Sequence, residues 1–88
     1  MIINIKDLKN KITYRANYRG TKEMDKLMSS FTKLYINQLL DSELTLLSNL
    51  LDLDDENLYK LNSGRETTIK VETNKVTELF KKFQYVSE

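Results

Sequence analysis

The sequence predicts an all-α fold, a small four- or five-helix bundle in a single domain over residues 1–88. Proline is absent and glycine occurs only twice, so the residues that interrupt helices are scarce. Apolar residues recur at spacings of three and four along most of the chain, the period of helices with one buried face. With 88 residues, the chain holds one domain and one modest core.

The elements follow in order. Ile5, Leu8, Ile12 and Ala16 form one apolar stripe, with Lys6, Lys9, Lys11 and Arg15 off it, which predicts a first helix. Gly20 then suits a sharp turn at Tyr18-Arg19-Gly20-Thr21, because glycine lacks a Cβ. Met24, Leu27, Met28, Phe31, Leu34 and Tyr35, continuing to Gln38 or Leu39, give the most regular helical pattern of the chain. Asp41 or Ser42 is the expected N-cap of a third helix, with Glu43 in its first turn and Leu44, Leu47, Leu50 and Leu51 as its stripe.

The acidic cluster from Asp52 to Glu56 opens a short fourth helix containing Leu58, Tyr59 and Leu61. Asn62-Ser63-Gly64 ends it, with Gly64 just past the last helical turn. Residues 65–73 read as a loop or a frayed helix start, since Ile69 and Val71 alternate with polar residues but a lone strand would lack a partner. A last helix is expected over residues 74–84, with Val76, Leu79, Phe80 and Phe83 on one face. The expected core is Leu8, Ile12, Leu27, Phe31, Leu34, Leu47, Leu51, Leu58, Leu79 and Phe83.

The formal net charge is only +1, yet the charges are segregated. Residues 1–33 carry eight basic side chains against three acidic, and residues 34–66 carry two against seven. Such a dipole suits oriented docking onto a partner; equally, the two patches can pair with one another. Arg19, Lys22, Lys26 and Lys33, beside Tyr14 and Tyr18, give a basic face compatible with phosphate contacts, although Glu23 and Asp25 interrupt it. A small helical nucleic-acid-binding or regulatory interaction module is therefore the alternative reading.

Histidine and cysteine are both absent, which removes the usual general base near neutral pH, any thiolate and any zinc ligand set. No glycine-rich phosphate loop exists. Asp52, Asp54, Asp55 and Glu56 lack the alternating ligands and central glycine of a calcium loop, and helix capping accounts for them. No catalytic, metal or cofactor-binding residue is assigned, and an enzyme is not expected. No apolar run is long enough to cross a membrane, and the opening Met1-Ile2-Ile3-Asn4-Ile5-Lys6-Asp7 lacks the pattern of a secretory signal. With no cysteine, these features suit a bacterial cytoplasm.

Arg19-Gly20-Thr21-Lys22-Glu23-Met24-Asp25 has the form Arg-Gly-x-x-Glu, then a hydrophobic residue and Asp, at the junction of the first two helices. It resembles the hallmark of the succinate dehydrogenase assembly factors, the FAD assembly factors or flavinators. The segment Leu50-Leu51-Asp52-Leu53-Asp54-Asp55-Glu56-Asn57-Leu58-Tyr59 is similar to the family's Leu-rich third helix, acidic loop and following aromatic. The resemblance covers residues 10–64. Thr21 stands where relatives carry a hydrophobic residue, Glu56 where many carry proline, and Tyr59-Lys60-Leu61 lacks the family's tryptophan.

The resemblance implies a non-enzymatic helper that binds the flavoprotein subunit of succinate dehydrogenase, or in some bacteria fumarate reductase. It would promote covalent attachment of FAD to a histidine of that subunit while binding no cofactor stably itself. A chain without histidine suits that division of labour. The implied partner-binding residues are Arg15, Arg19, Gly20, Glu23, Asp25 and Tyr59. Arg19 would offer a planar donor fork, and Gly20 would let the partner backbone approach. Glu23 would receive a donor from the partner or hold Arg19 in place. Read without the resemblance, the same residues are a turn glycine and a local Arg19–Glu23 pair.

Overall fold

Among the described residues, five helices form in the order α1 (Ile5–Asn17), α2 (Lys22–Tyr35), α3 (Asp41–Leu51), α4 (Asp55–Asn62) and α5 (Lys75–Lys82). The structure, a computed structural model, describes residues 4–84; the expectation about the chain's opening rests partly on residues 1–3, outside this range. Among the described residues there is no strand. The fold is all-α and a single domain, as expected. α1 packs on α2 and α3, and α5 closes against α3 and α4.

Local chemistry explains each boundary. Asn4 caps α1 by accepting from the Asp7 N–H at 3.2 Å. Thr21 caps α2, its hydroxyl accepting from the Met24 N–H at 3.3 Å. α3 begins one residue earlier than expected: Leu40 is the N-cap and Asp41 is already helical. Leu40 has no side-chain acceptor, but Glu43 reaches back and accepts from its N–H at 2.7 Å. α4 ends in a Schellman motif. Gly64 adopts φ +77°, Arg65 N–H donates to the Lys60 carbonyl at 2.8 Å, and Gly64 N–H points at the Leu61 carbonyl at 3.4 Å.

Residues 65–73 are a loop, held down by Asn57. That buried amide accepts from the Thr68 N–H at 2.8 Å and from its hydroxyl at 3.1 Å, and donates to Asp54 at 2.6 Å. Asn74 and Thr77 form a reciprocal capping box at the start of α5. α5 stops at Lys82, short of the expected residue 84. Asn62 explains the stop: its amide donates to the Phe80 and Phe83 carbonyls at 3.0 and 2.8 Å, and Phe83 turns extended.

The core contains Ile12, Leu27, Phe31, Leu47, Leu51 and Leu58 as expected, together with Ala16, Met28, Leu44, Val76 and Phe80. Phe31 is its centre, with the Phe80 ring 5.0 Å away edge-to-face and those of Tyr35 and Phe83 at 5.1 and 5.3 Å. Leu8, Leu79 and Phe83 pack against this core half-buried. Leu34 is a correction, since it is 47 % exposed. At ~100° per residue it lies about 60° behind Phe31, whereas Tyr35 lies about 40° ahead on the buried side. The buried face runs instead through Thr32 and Tyr35 to Ile36 and Leu39.

Candidate functional site

The turn between α1 and α2 is fixed from inside. Gly20 adopts φ +110°, a conformation that side-chain-bearing residues rarely take, which is why glycine stands there. An added Cβ would meet nothing within 4 Å, so backbone conformation, not crowding within the chain, selects it. One carboxylate oxygen of Asp25 accepts from the Arg19 N–H and from the Gly20 N–H, the latter at 3.2 Å. Asp25 sits in the first turn of α2, where a carboxylate also complements the helix dipole.

The Arg19 side chain points into the protein and is only 13 % exposed. Its Nε lies 3.0 Å from Asp55 Oδ1, while Nη1 and Nη2 each donate at 2.6 Å, to the carbonyls of Leu51 and Leu53. Arg15, one turn earlier, donates to the Ser48 carbonyl at 3.3 Å and the Ser48 hydroxyl at 3.1 Å, and pairs with Asp52.

These contacts complete the end of α3. The last four carbonyls of a helix have no intrahelical partner. Here Asn49 and Leu50 receive the N–H groups of Asp52 and Leu53, and Ser48 and Leu51 receive the two arginines. α3 has no basic residue in its last turn, so α1 supplies the positive charge that its C-terminus favours. The segregated charges of the sequence therefore meet within the molecule at this seam. The expectation that Glu23 holds Arg19 is corrected: Arg19 binds Asp55 and two carbonyls, and the Glu23 side chain makes no hydrogen bond or ion pair among the described residues.

Glu23 is exposed on α2 and lies on a groove of about 510 Å³ between the start of α2 and α4. Met24 and Leu27, both nearly buried, provide apolar surface there, and Lys22, Lys26, Tyr59 and Asn62 complete the lining. Tyr59 is 54 % exposed, and the Arg65 guanidinium sits 6.0 Å from its ring centroid. Of the six residues singled out in the sequence, Glu23 and Tyr59 share this groove and Gly20 is exposed at the turn. Arg15, Arg19 and Asp25 instead hold the turn against the α3–α4 segment.

Sequence reasoning did not find the groove's Met24, Leu27 and Asn62, because apolar periodicity assigns Met24 and Leu27 to the core. The seam left one signal: an acidic stretch after a helix that ends without basic residues. Among the described residues no cluster suited to a metal ion is formed, and no helix is long and apolar enough to cross a membrane. Glu43, outside this region, has a shifted titration. The hydrogen bond from Leu40 N–H holds its carboxyl below the ordinary value of 4.5, with a smaller contribution from Lys75 at 3.1 Å.

The fold and the seam define a class: small all-α proteins whose first helix hairpin ends in an internally braced Arg-Gly turn beside an open groove. The family described as the flavinator of succinate dehydrogenase matches residues 10–84, and the chain belongs to that family. The match runs past Gly64 and through α5. No significant match is found among curated proteins or among solved structures.

Proposed function

We propose that this chain is a non-enzymatic assembly factor that binds the flavoprotein subunit of succinate dehydrogenase and promotes covalent attachment of FAD to it. Fumarate reductase, whose flavoprotein subunit poses the same chemical problem, is a second client. The chain itself holds no cofactor stably and acts in the bacterial cytoplasm. Family membership supports the assignment to succinate dehydrogenase. The observation that carries the docking role is the division of labour in the turn. Arg15, Arg19 and Asp25 are engaged internally, while the Glu23 side chain is exposed on the rim of an open groove with no partner among the described residues.

The mechanism is selection of a conformation. A partner segment seated against Met24, Leu27 and Tyr59, with a donor on Glu23, gains binding energy only in one arrangement of the flavoprotein. That arrangement brings the flavin and its accepting histidine together, and the effective concentration of the reacting groups rises. Histidine is absent from this chain, so the accepting side chain belongs to the partner. Arg19 serves by rigidity, since a turn held at several points loses little freedom on docking.

Co-expression of the flavoprotein subunit with and without this chain tests the proposal, read as covalent flavin fluorescence after denaturing electrophoresis. The chain is expected to raise the covalent signal. Equal signal with and without it contradicts the proposal. Gly20→Arg is a poor probe of docking, because any side chain at φ +110° strains the fold itself. Glu23→Ala is the cleaner variant.

A further inference from the structure

A second groove runs between α1 and α2, apart from the Glu23 groove and the arginine seam. Two depressions, of about 300 and 440 Å³, share Thr13, Ile36 and Asn37 and together follow α1 from Lys6 to Asn17. That run is about 16 Å long, the length of about five residues of extended chain. We infer that this groove seats an extended acidic segment of the flavoprotein subunit. The inference rests on the docking role proposed above and gives the same partner a separate point of attachment.

Three observations carry it. The first is charge. Lys6, Lys9 and Lys33 line the groove, and none of them forms an ion pair among the described residues. Among the described residues no acidic side chain lines it. Asp7 lies about 120° around α1 from Thr13, Glu23 lies about 120° around α2 from Ser29, and Asp25 is bound by the turn N–H groups. An acidic segment is the complement of such a lining. The second is the kind of polar group. Thr13, Asn17 and Asn37 bring hydroxyls and amides, which both donate and accept, as a peptide backbone requires. Lys9 donates to Asn37 Oδ1 at 3.1 Å and fixes that amide beside the groove. A phosphate only accepts, and both arginines, its better ligands, are engaged inside the protein. The third is Thr32, which lines the groove and is only 2 % exposed, with a hydroxyl that has no partner among the described residues. A helical threonine has two χ1 positions open to it, so this hydroxyl can turn to a segment in the groove and shed its desolvation penalty.

Titration of the full chain against the purified flavoprotein subunit, at low and at physiological salt, tests it. The variants are Thr32→Val, Thr32→Ser, a Lys6→Glu, Lys33→Glu pair, Lys82→Glu outside the groove, and Glu23→Ala, each checked for its unfolding midpoint. Thr32→Val should unfold no lower than wild type yet bind about fivefold more weakly, the loss of one hydrogen bond made only on docking. Thr32→Ser keeps the hydroxyl and should bind near wild type. The lysine pair should weaken binding by about tenfold or more and flatten its salt dependence. Lys82→Glu should change little, and an equal loss there would mean that the field of the whole chain acts, which overturns the groove. Wild-type affinity in Thr32→Val or in the lysine pair also overturns it, and Glu23→Ala weakened in the same titration leaves the first surface standing. A wild-type chain that does not bind the subunit overturns both. Lys6- and Lys33-dependent binding of a single-stranded oligonucleotide tighter than that of the subunit overturns the inference in favour of nucleic acid.

Discussion

Arg19 Nη1 donates to the Leu51 carbonyl at 2.6 Å, and Leu51 is the last residue of α3. One side chain in the turn after the first helix thereby finishes the third. The same guanidinium binds Leu53 and Asp55, so it ties the α1–α2 turn to the start of α4. Arg19→Ala leaves two carbonyls and a carboxylate short of donors in a largely buried place. The expected loss is about 2–3 kcal/mol of folding stability. Arg19→Lys should recover only part of it, because an ammonium cannot present the same planar fork. Urea unfolding followed by circular dichroism measures both; a loss below about 0.5 kcal/mol for Arg19→Ala would show that the seam is not structural.

Glu43 gives the fold a pH dependence of known sign. Its folded-state titration lies below the ordinary value because the carboxylate accepts from Leu40 N–H and pairs with Lys75. The resulting stability is present in full above the unfolded value and is lost as pH falls through the lower folded value. Glu43→Gln keeps an acceptor for Leu40 but has no charge to titrate. Unfolding midpoints measured from neutral pH to about pH 3 should converge for the two proteins toward acid. Parallel curves would remove Glu43 from the acid response.

Thr32 is 2 % exposed, and its hydroxyl has no hydrogen-bond partner among the described residues. A buried hydroxyl without a partner keeps its desolvation penalty. Thr32→Val has the same branched shape, so the protein should gain about 1 kcal/mol. Thermal unfolding by circular dichroism checks the sign; a lower midpoint would mean that the hydroxyl is satisfied in solution.

Asn57 joins α4 to the loop after it through Asp54 and Thr68. Asn57→Ala removes the acceptor for the Thr68 N–H and should lower stability by about 1–3 kcal/mol. Hydrogen exchange should show the largest increase at residues 65–73, where that amide is the main polar anchor. Uniform loss of protection across the chain, with no excess in the loop, would contradict the assignment.

The helices were legible because each has a period or a stop that one sequence can display. The Leu44, Leu47, Leu50, Leu51 stripe and the Gly64 terminus fall where the residue pattern puts them. Leu34 was misread because spacings of three and four were treated alike, although the two step in opposite directions around a helix. The start of α3 is not legible in the sequence, because Leu40 offers no side-chain acceptor and Glu43 caps the helix from inside. Arg15 and Arg19 show what a linear reading cannot hold. Their partners lie more than thirty positions away, and only the packing of α1 on α3 brings them together. Arg19 looks like an exposed donor in the sequence and is an internal strut in the fold. Tyr59 and Glu23 share a groove for the same reason, with nothing in their spacing to announce it.

The central claim is that the turn is braced from within so that Glu23 faces outward to a flavoprotein. Glu23→Ala, co-expressed with the flavoprotein subunit, tests it most directly when covalent flavin and the variant's unfolding midpoint are measured on the same preparation. The account predicts a fall in covalent flavin of about tenfold, the loss of one good anchor, with stability within about 0.5 kcal/mol of wild type. Covalent flavin at the wild-type level in a folded Glu23→Ala protein would contradict it.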